Sequence, residues 1–172
     1  MARILITLDT NVFDHSEVKK IEQAVQGLPI ELIHISVTTR ELEGTDFTLL
    51  GQEIVETGVW GESRWDQSLW GDEKTAALFE QILKVMSDGA FPRNRENLSK
   101  GHQRQLRDAM ILAAHARSQG NIFVTNETQA FGTKDSISRR QLEQLCGTQI
   151  MNLNEFYSYC QRLRNGNEQQ GT

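Results

Sequence analysis

The sequence predicts an α/β protein with a mostly parallel central sheet and helices on both of its faces. Short apolar runs rich in Ile, Val and Leu alternate along the chain with longer stretches of helical periodicity, an order typical of parallel sheets. The first run, residues 2–8, is almost continuously apolar, as expected of a strand that helices cover on both faces.

The first half of the chain follows this alternating order. After the first strand the apolar residues take helical spacing, and Asp14 or Ser16 is expected to cap the helix. One face of this helix is formed by Val18, Ile21, Val25 and Leu28. A second run, IELIHISVT, is expected to form a strand that ends at Thr38 or Thr39, followed by a short helix that contains Glu41.

The second half repeats the pattern after residue 72. A helix from Asp72 carries an apolar face formed by Phe79, Ile82, Leu83 and Met86. The remaining expected elements are a long helix over 100–118, a strand over 121–125, a helix over 137–146, a strand over 149–153 and a last helix from about Asn154.

Residues 44–72 depart from the alternating pattern. They contain five glycines and three tryptophans, and their sequence indicates only strand or loop. Packing or a dimer contact explains Trp60, Trp65 and Trp70 better than stacking on unpaired bases, because Trp is enriched at interfaces.

Length and composition fit one globular domain. With 172 residues, 38% of them hydrophobic and 24% charged, the chain is long enough for one core, which we expect over residues 1–164 with a polar tail over 165–172. No apolar run approaches the roughly 20 residues of a membrane helix, and the opening segment lacks the features of a signal peptide. Cys146 and Cys160 are expected to be reduced core thiols of a soluble, cytoplasmic protein.

Acidic residues follow the strands that we expect at the centre of the sheet. Asp9 ends the first strand, Glu41 comes soon after the second, and Glu127 follows the strand that contains Val124. Because the carboxyl ends of parallel strands meet at one rim of the sheet, the three side chains are expected to lie near one another.

Asp108 is a fourth acid, placed on the long helix. It precedes the stretch AMILAA (109–114), which is apolar on every helical face and is therefore expected to be buried. A carboxylate in that position is partly desolvated and needs a partner. The candidates are a metal ion and Arg104, one turn earlier.

Several oxygen ligands without a Cys/His cluster suit a hard cation, Mg²⁺ or Mn²⁺. Taken singly, each acid also has a purely structural explanation. Asp9 is then a helix cap, Glu41 a solvated helix residue and Asp108 half of an ion pair with Arg104.

These segments resemble a known family. Leu8-Asp9-Thr10-Asn11-Val12 after an apolar strand is similar to the opening motif of PIN-domain proteins, which include the VapC-type toxin ribonucleases. Arg107-Asp108-Ala109, followed by Ile111-Leu112-Ala113-Ala114, resembles the central aspartate helix of that family. Val124-Thr125-Asn126-Glu127 is similar to its strand-end segment, and Glu41 falls where the family places a glutamate.

The resemblance implies a small three-layer α/β/α sandwich that hydrolyses RNA phosphodiester bonds with Mg²⁺ or Mn²⁺. It implies metal ligation by Asp9, Glu41 and Asp108, with Glu127 as an uncertain fourth catalytic acid. Substrate-binding residues would be Thr10, Asn11, Thr125, Asn126, Arg104 and Arg107, with Thr10 and Asn11 also able to orient Asp9. A toxin-type protein of this family would meet an antitoxin or another protein partner and could form a homodimer.

The chain departs from the family pattern in two places. Glu127 and Ala130 stand where the family often has aspartate, and residues 44–72 are longer and richer in Trp than in compact members. The alternative is therefore a catalytically silent PIN-like module that binds RNA or protein. A haloacid-dehalogenase-type phosphatase is disfavoured, because Asn11 stands where that class has its second aspartate.

Charge and histidines give weaker indications. The net charge of −5 counts mildly against an extended duplex interface, although residues 93–107 hold five basic residues and one acid. That basic run either lines an RNA path or is a solvated helix face. His34 is expected to be structural, and His115 a surface or packed residue.

Overall fold

The computed structural model describes residues 3–55 and 73–168. Its strands are β1 (Ile4–Leu8), β2 (Ile30–Ile35), β3 (Gln52–Ile54), β4 (Ile122–Val124) and β5 (Gln149–Met151). All neighbouring strands pair in parallel, in the order β3-β2-β1-β4-β5. Helices cover both faces of this sheet, so the expected three-layer α/β/α sandwich is confirmed.

Each described strand is followed by one or two helices along the chain. They are α1 (His15–Val25), α2 (Ser36–Glu41), α3 (Glu73–Met86), α4 (Lys100–Arg117), α5 (Thr128–Phe131), α6 (Ile137–Cys146) and α7 (Leu153–Glu168), with a short 3₁₀ helix at Thr10–Val12. Asp14 caps α1, because its carboxylate accepts hydrogen bonds from the backbone N–H groups of Ser16 and Glu17.

Two hydrophobic clusters lie on opposite faces of the sheet. Side chains alternate along β4: Phe123 packs with α3, α4 and α6, whereas Ile122 and Val124 pack on the side of α1 and α7. As expected, AMILAA is buried along α4, with each of its residues at most 2% exposed. Cys146 and Cys160 are free thiols.

The strand register brings the carboxyl ends of β1 and β4 together. Thr7 pairs with Ile33 on one side and with Phe123 on the other. The backbone N–H of Asp9 then donates to the carbonyl of Val124 over 3.0 Å. Asp9 and Thr125 therefore follow neighbouring strand ends at the same rim.

Several expected boundaries differ in the structure, most clearly at the second strand and the last helix. β2 ends at Ile35, and residues 36–41 form α2, although Val37, Thr38 and Thr39 are β-branched. Val37 and Thr38 are buried in this helix, so tertiary packing overrides their strand propensity. The last helix runs through Glu168, into the segment expected to be a frayed tail.

Part of the ambiguous segment belongs to the sheet. Residues 52–54 form β3, which pairs with β2 at one edge. Trp60, Trp65 and Trp70, and the interpretations attached to them, lie outside the described residues. Within the described ranges, no helix combines the length and the apolar character needed to cross a membrane.

Candidate acidic site at the carboxyl rim

Asp9 is a buried carboxylate whose two oxygens both accept hydrogen bonds. Its Oδ1 accepts from the backbone N–H of Thr10 over 2.8 Å. Its Oδ2 accepts from Asn11 Nδ2 over 2.8 Å and from Thr125 Oγ1 over 2.6 Å. The side chain is 2% exposed, so these donors fix it in one orientation.

The pKa of Asp9 is raised to about 6, and burial is the main cause. The hydrogen bonds from Thr125 and Thr10 oppose this rise, and the negative charges of Glu41 and Glu127 add to it. The influence of those charges means that acids from α2 and from the start of α5 lie close to the end of β1.

Glu41, the last residue of α2, is held by two partners. Its Oε2 accepts a hydrogen bond from Thr10 Oγ1, and its Oε1 lies 3.1 Å from Arg107 Nε. Thr10 thus contacts two acids, Asp9 through its backbone and Glu41 through its hydroxyl. Glu41 is an exposed residue, so it combines contact with solvent with these two contacts at the site.

Asp108 differs from both, because no hydrogen bond or ion pair between described residues involves its carboxylate. Its pKa is raised to about 8, mainly by burial and in addition by the negative charges of Asp9, Glu41 and Glu127. The positive charge of Arg104 lowers the pKa of Asp108. The two side chains form no ion pair in the described part of the chain. Asp108 is therefore a partly buried acid surrounded by like charge.

Glu127 contributes its charge to the site while performing a structural role. Its Oε1 accepts a hydrogen bond from the backbone N–H of Gln129 over 2.9 Å and caps α5. Its own backbone N–H donates to Thr125 Oγ1. Ala130, where the family often has an acid, is buried among apolar residues.

Asn11 and Asn126, expected to bind substrate, brace the rim. Asn11 Oδ1 accepts from the backbone N–H of Asn126 over 2.8 Å, and Asn126 Oδ1 accepts from the backbone N–H of Leu153 over 3.3 Å. Asn11 Nδ2 also donates to Asp9 and Thr125. These amides connect the ends of β1 and β4 with the start of α7, and Asn11 orients Asp9.

The basic residues before Asp108 divide into two groups. Arg107 lies against Glu41, and Arg104 influences Asp108 through its charge. Arg95 lies elsewhere, because it pairs with Glu80 and sits over the ring of Phe79. The run of basic residues is therefore not a single positive strip, and Arg104 and Arg107 are its members at the acidic site.

The donor chemistry of this rim fits a hard divalent cation. Asp9, Glu41, Asp108 and Glu127 supply carboxylate oxygens, and Mg²⁺ and Mn²⁺ prefer such ligands. In the conformation described, no three His, Cys, Asp or Glu side chains of the described ranges are already arranged around one metal position. In this conformation Glu41 is bound by Arg107, and Glu127 caps a helix.

His115 lies apart from the acids. The sequence left open whether it is a surface or a packed residue, and the structure shows that it is packed. It is fully buried, with Nδ1 2.6 Å from Thr7 Oγ1 and Nε2 2.7 Å from Thr148 Oγ1. Burial lowers its pKa to about 4, so it is neutral near pH 7. His34 is also structural, with Nδ1 3.0 Å from the carbonyl of Leu50.

Sequence reasoning missed two contacts of the site. It did not identify Thr125 as the donor at 2.6 Å that holds Asp9, nor the pairing of Arg107 with Glu41. A polar residue directly after a buried strand was a usable signal for Thr125. The second contact joins α4 to α2 across 66 positions of sequence, and no local pattern indicates it.

In comparisons with known proteins, no family model and no curated protein matches this chain. What the fold and the site define together is a parallel three-layer α/β/α protein with four acids near the carboxyl rim of its sheet. The function proposed for it therefore depends on the chemistry of these side chains and on the resemblance described above.

Proposed function

We propose that this protein is an endoribonuclease of the PIN-like type, which hydrolyses RNA phosphodiester bonds with the help of Mg²⁺ or Mn²⁺. The observation that carries the proposal is Asp108, a partly buried acid without a hydrogen-bonding partner among the described residues and close to three other acids. A divalent cation that binds between such acids neutralises their mutual repulsion and stabilises the folded protein.

Asp9 and Asp108 are the residues proposed to hold the cation, with Glu41 as a third ligand. When bound, a divalent cation supplies a water of lowered pKa and neutralises charge that develops on the phosphate. Thr125 and Asn11 keep Asp9 in one orientation through hydrogen bonds, as a ligand with a fixed position requires. Glu127 acts at longer range, because its carboxylate already caps α5.

Arg104 and Arg107 are proposed to bind the RNA backbone beside the acids. Both belong to α4, the helix that carries Asp108, so their charges and that carboxylate share one rigid element. A guanidinium binds phosphate oxygens through paired N–H donors, which suits both side chains to this role.

The second candidate function is a catalytically silent module that binds RNA or protein. The contact that favours it is the ion pair of Glu41 with Arg107, which already neutralises one acid without a metal. The toxin-type assignment and an antitoxin partner rest on the family resemblance alone. A homodimer and a cytoplasmic location, for which the sequence gives separate indications, belong to the same proposal.

Cleavage of a mixed pool of single-stranded RNA by the purified protein tests the proposal. We expect cleavage with Mn²⁺ or Mg²⁺ and none with EDTA, and we expect the Asp108→Asn variant to be inactive. Glu22→Gln, which neutralises an exposed acid of α1, is the matched control and should cleave like the wild type. If Mn²⁺ binds the wild type and no RNA is cut, the silent module replaces the nuclease.

A further inference from the structure

Arg107 lies directly against Glu41, an acid of the site. Its Nε is 3.1 Å from Glu41 Oε1, and the two side chains are 36% and 26% exposed. The Nε atom itself is buried and forms no hydrogen bond in the described part of the chain, so its N–H is not aimed at the carboxylate. The contact is a close charge pair with poor hydrogen-bond geometry.

The pair performs the electrostatic task of a bound cation. Glu41 raises the pKa of both Asp9 and Asp108, so its charge acts on the whole site. A guanidinium placed against Glu41 offsets that charge in the metal-free protein. Because the pair is partly exposed and poorly aligned, it is weak and can exchange for a stronger ligand of the carboxylate.

We propose that Arg107 is an internal counter-ion that pairs with Glu41 in the metal-free protein, yields this carboxylate to a divalent cation, and then binds a phosphate of the RNA. This inference rests on the proposed function and adds an order of events to it. Binding of the cation frees the guanidinium beside the acids, and a free guanidinium is well suited to a phosphate. Cation binding and RNA binding are thereby coupled through one side chain.

The first test measures Mn²⁺ affinity by isothermal titration calorimetry. Arg107→Met keeps most of the side-chain volume and removes the competitor for Glu41, so we expect it to bind Mn²⁺ about two- to fivefold more tightly than the wild type. Arg140→Met removes one charge from an exposed position of α6 and controls for the change in net charge. It should bind Mn²⁺ like the wild type.

The same variants give a readout that needs no metal and no RNA. In EDTA, Arg107→Met should melt at a lower temperature than the wild type, because Glu41 then repels Asp9 and Asp108 without compensation. With saturating Mn²⁺ this difference should disappear. For Arg140→Met, the difference in melting temperature from the wild type should be the same in EDTA and in Mn²⁺.

A double-mutant cycle shows whether Glu41 is the group through which Arg107 acts. In a Glu41→Gln background, Arg107→Met should no longer change the affinity for Mn²⁺. An undiminished effect in that background, or equal Mn²⁺ affinity of Arg107→Met and the wild type, would overturn the counter-ion role alone. A wild type that binds no Mn²⁺ would overturn the proposed metal site and this inference together.

The phosphate contact is tested by the binding of a fluorescent phosphorothioate RNA. The wild type should bind it more tightly with Mn²⁺ than with EDTA, and Arg107→Met should lose that gain. Arg107→Lys keeps the charge but not the paired donors, so it should match the wild type in Mn²⁺ affinity and bind RNA more weakly. If Mn²⁺ increases the RNA affinity of Arg107→Met as much as it does for the wild type, the phosphate contact of Arg107 is overturned.

Discussion

Asp9 and Asp108 are acids of the same site in opposite situations. Asp9 follows a strand and accepts three hydrogen bonds, from Thr10, Asn11 and Thr125. Asp108 stands on a buried helix, and no hydrogen bond reaches it from the described residues. Its pKa rises to about 8, while that of Asp9 rises to about 6. The fold thus positions one acid with its neighbours and leaves the other to be neutralised by a proton or a cation.

The largest expected effect is the same for both acids. Asp9→Asn and Asp108→Asn each remove a charge proposed to hold the cation, so each should reduce RNA cleavage to the level seen with EDTA. Gel-based cleavage assays with equal protein concentrations measure this. Cleavage by either variant at the rate of the Glu22→Gln control would contradict the assignment of that acid.

Stability should separate the two substitutions. In Asp9→Asn, one carboxylate oxygen is replaced by an NH₂ group, which cannot accept the hydrogen bonds that the oxygen accepted. A buried donor is then left without an acceptor, which lowers the free energy of unfolding by about 1–3 kcal/mol. Asp108→Asn breaks no hydrogen bond among the described residues and should leave metal-free stability at pH 7 unchanged or higher. Urea unfolding in EDTA measures both. Equal losses in the two variants would remove the contrast between the acids.

The next expected effect is the dependence of stability on pH that Asp108 causes. Its pKa is about 8 in the folded protein, against an ordinary value of 3.8. The folded protein therefore keeps a proton that the unfolded chain loses, and the wild type loses stability as pH rises from about 4 to 8. The advantage of Asp108→Asn over the wild type in EDTA should accordingly grow with pH and level off above about 8.

Mn²⁺ should reverse this trend for the wild type. The cation competes with the proton on Asp108, so its affinity should weaken about tenfold for each unit below pH 8. Calorimetric titrations at pH 6, 7 and 8 measure the slope. An affinity that stays constant over this range would show that Asp108 does not take part in binding.

Glu127 should have a smaller effect than either aspartate. Glutamine at this position keeps the side-chain oxygen that caps α5, so the fold is retained while the negative charge is lost. We expect Glu127→Gln to reduce cleavage about tenfold or less, as for a residue that acts on the ligands of a metal. An inactive Glu127→Gln protein would place this acid among the direct ligands.

Substitution of Arg104 should have the smallest effect on the free energy of unfolding. It lowers the pKa of Asp108 by its charge but forms no ion pair with it in the described part of the chain. Arg104→Ala should therefore change the free energy of unfolding by less than about 0.5 kcal/mol in EDTA. A loss of several kcal/mol would instead revive the interpretation of Asp108 as a structural ion-pair partner.

The sequence predicts the framework of this molecule better than the state of its acids. Alternating strand and helix patterns predict the parallel sheet, and the parallel arrangement predicts that distant acids meet at one rim. Local patterns do not show that residues 36–41 are helical, because burial of Val37 and Thr38 decides that outcome.

The partners of each carboxylate depend on contacts between distant elements. The pairing of Glu41 with Arg107 requires α2 and α4 to be placed side by side, and the capping role of Glu127 requires the backbone of α5 to begin directly after it. The identity of an acid and its position after a strand are readable from sequence. Whether it is bound, capped or left without a partner is a property of the assembled structure.

The buried contact of His115 with Thr7 and Thr148 gives the protein a second, opposite response to acid. Its folded-state pKa of about 4 lies below the ordinary 6.5, so the unfolded chain takes up a proton first and stability is lost as pH falls from about 6.5 to 4. Asp108 acts in the opposite sense, because its raised pKa makes stability fall as pH rises from about 4 to 8. Between about pH 4 and 6.5 the effects of His115 and Asp108 offset each other, while the raised pKa of Asp9 lowers stability from about 4 to 6. His115 therefore limits how much stability the metal-free protein loses between pH 4 and 6.5, and the loss should be steepest where its compensation has ended, above about 6.5, which differential scanning calorimetry across pH 4–9 would show directly.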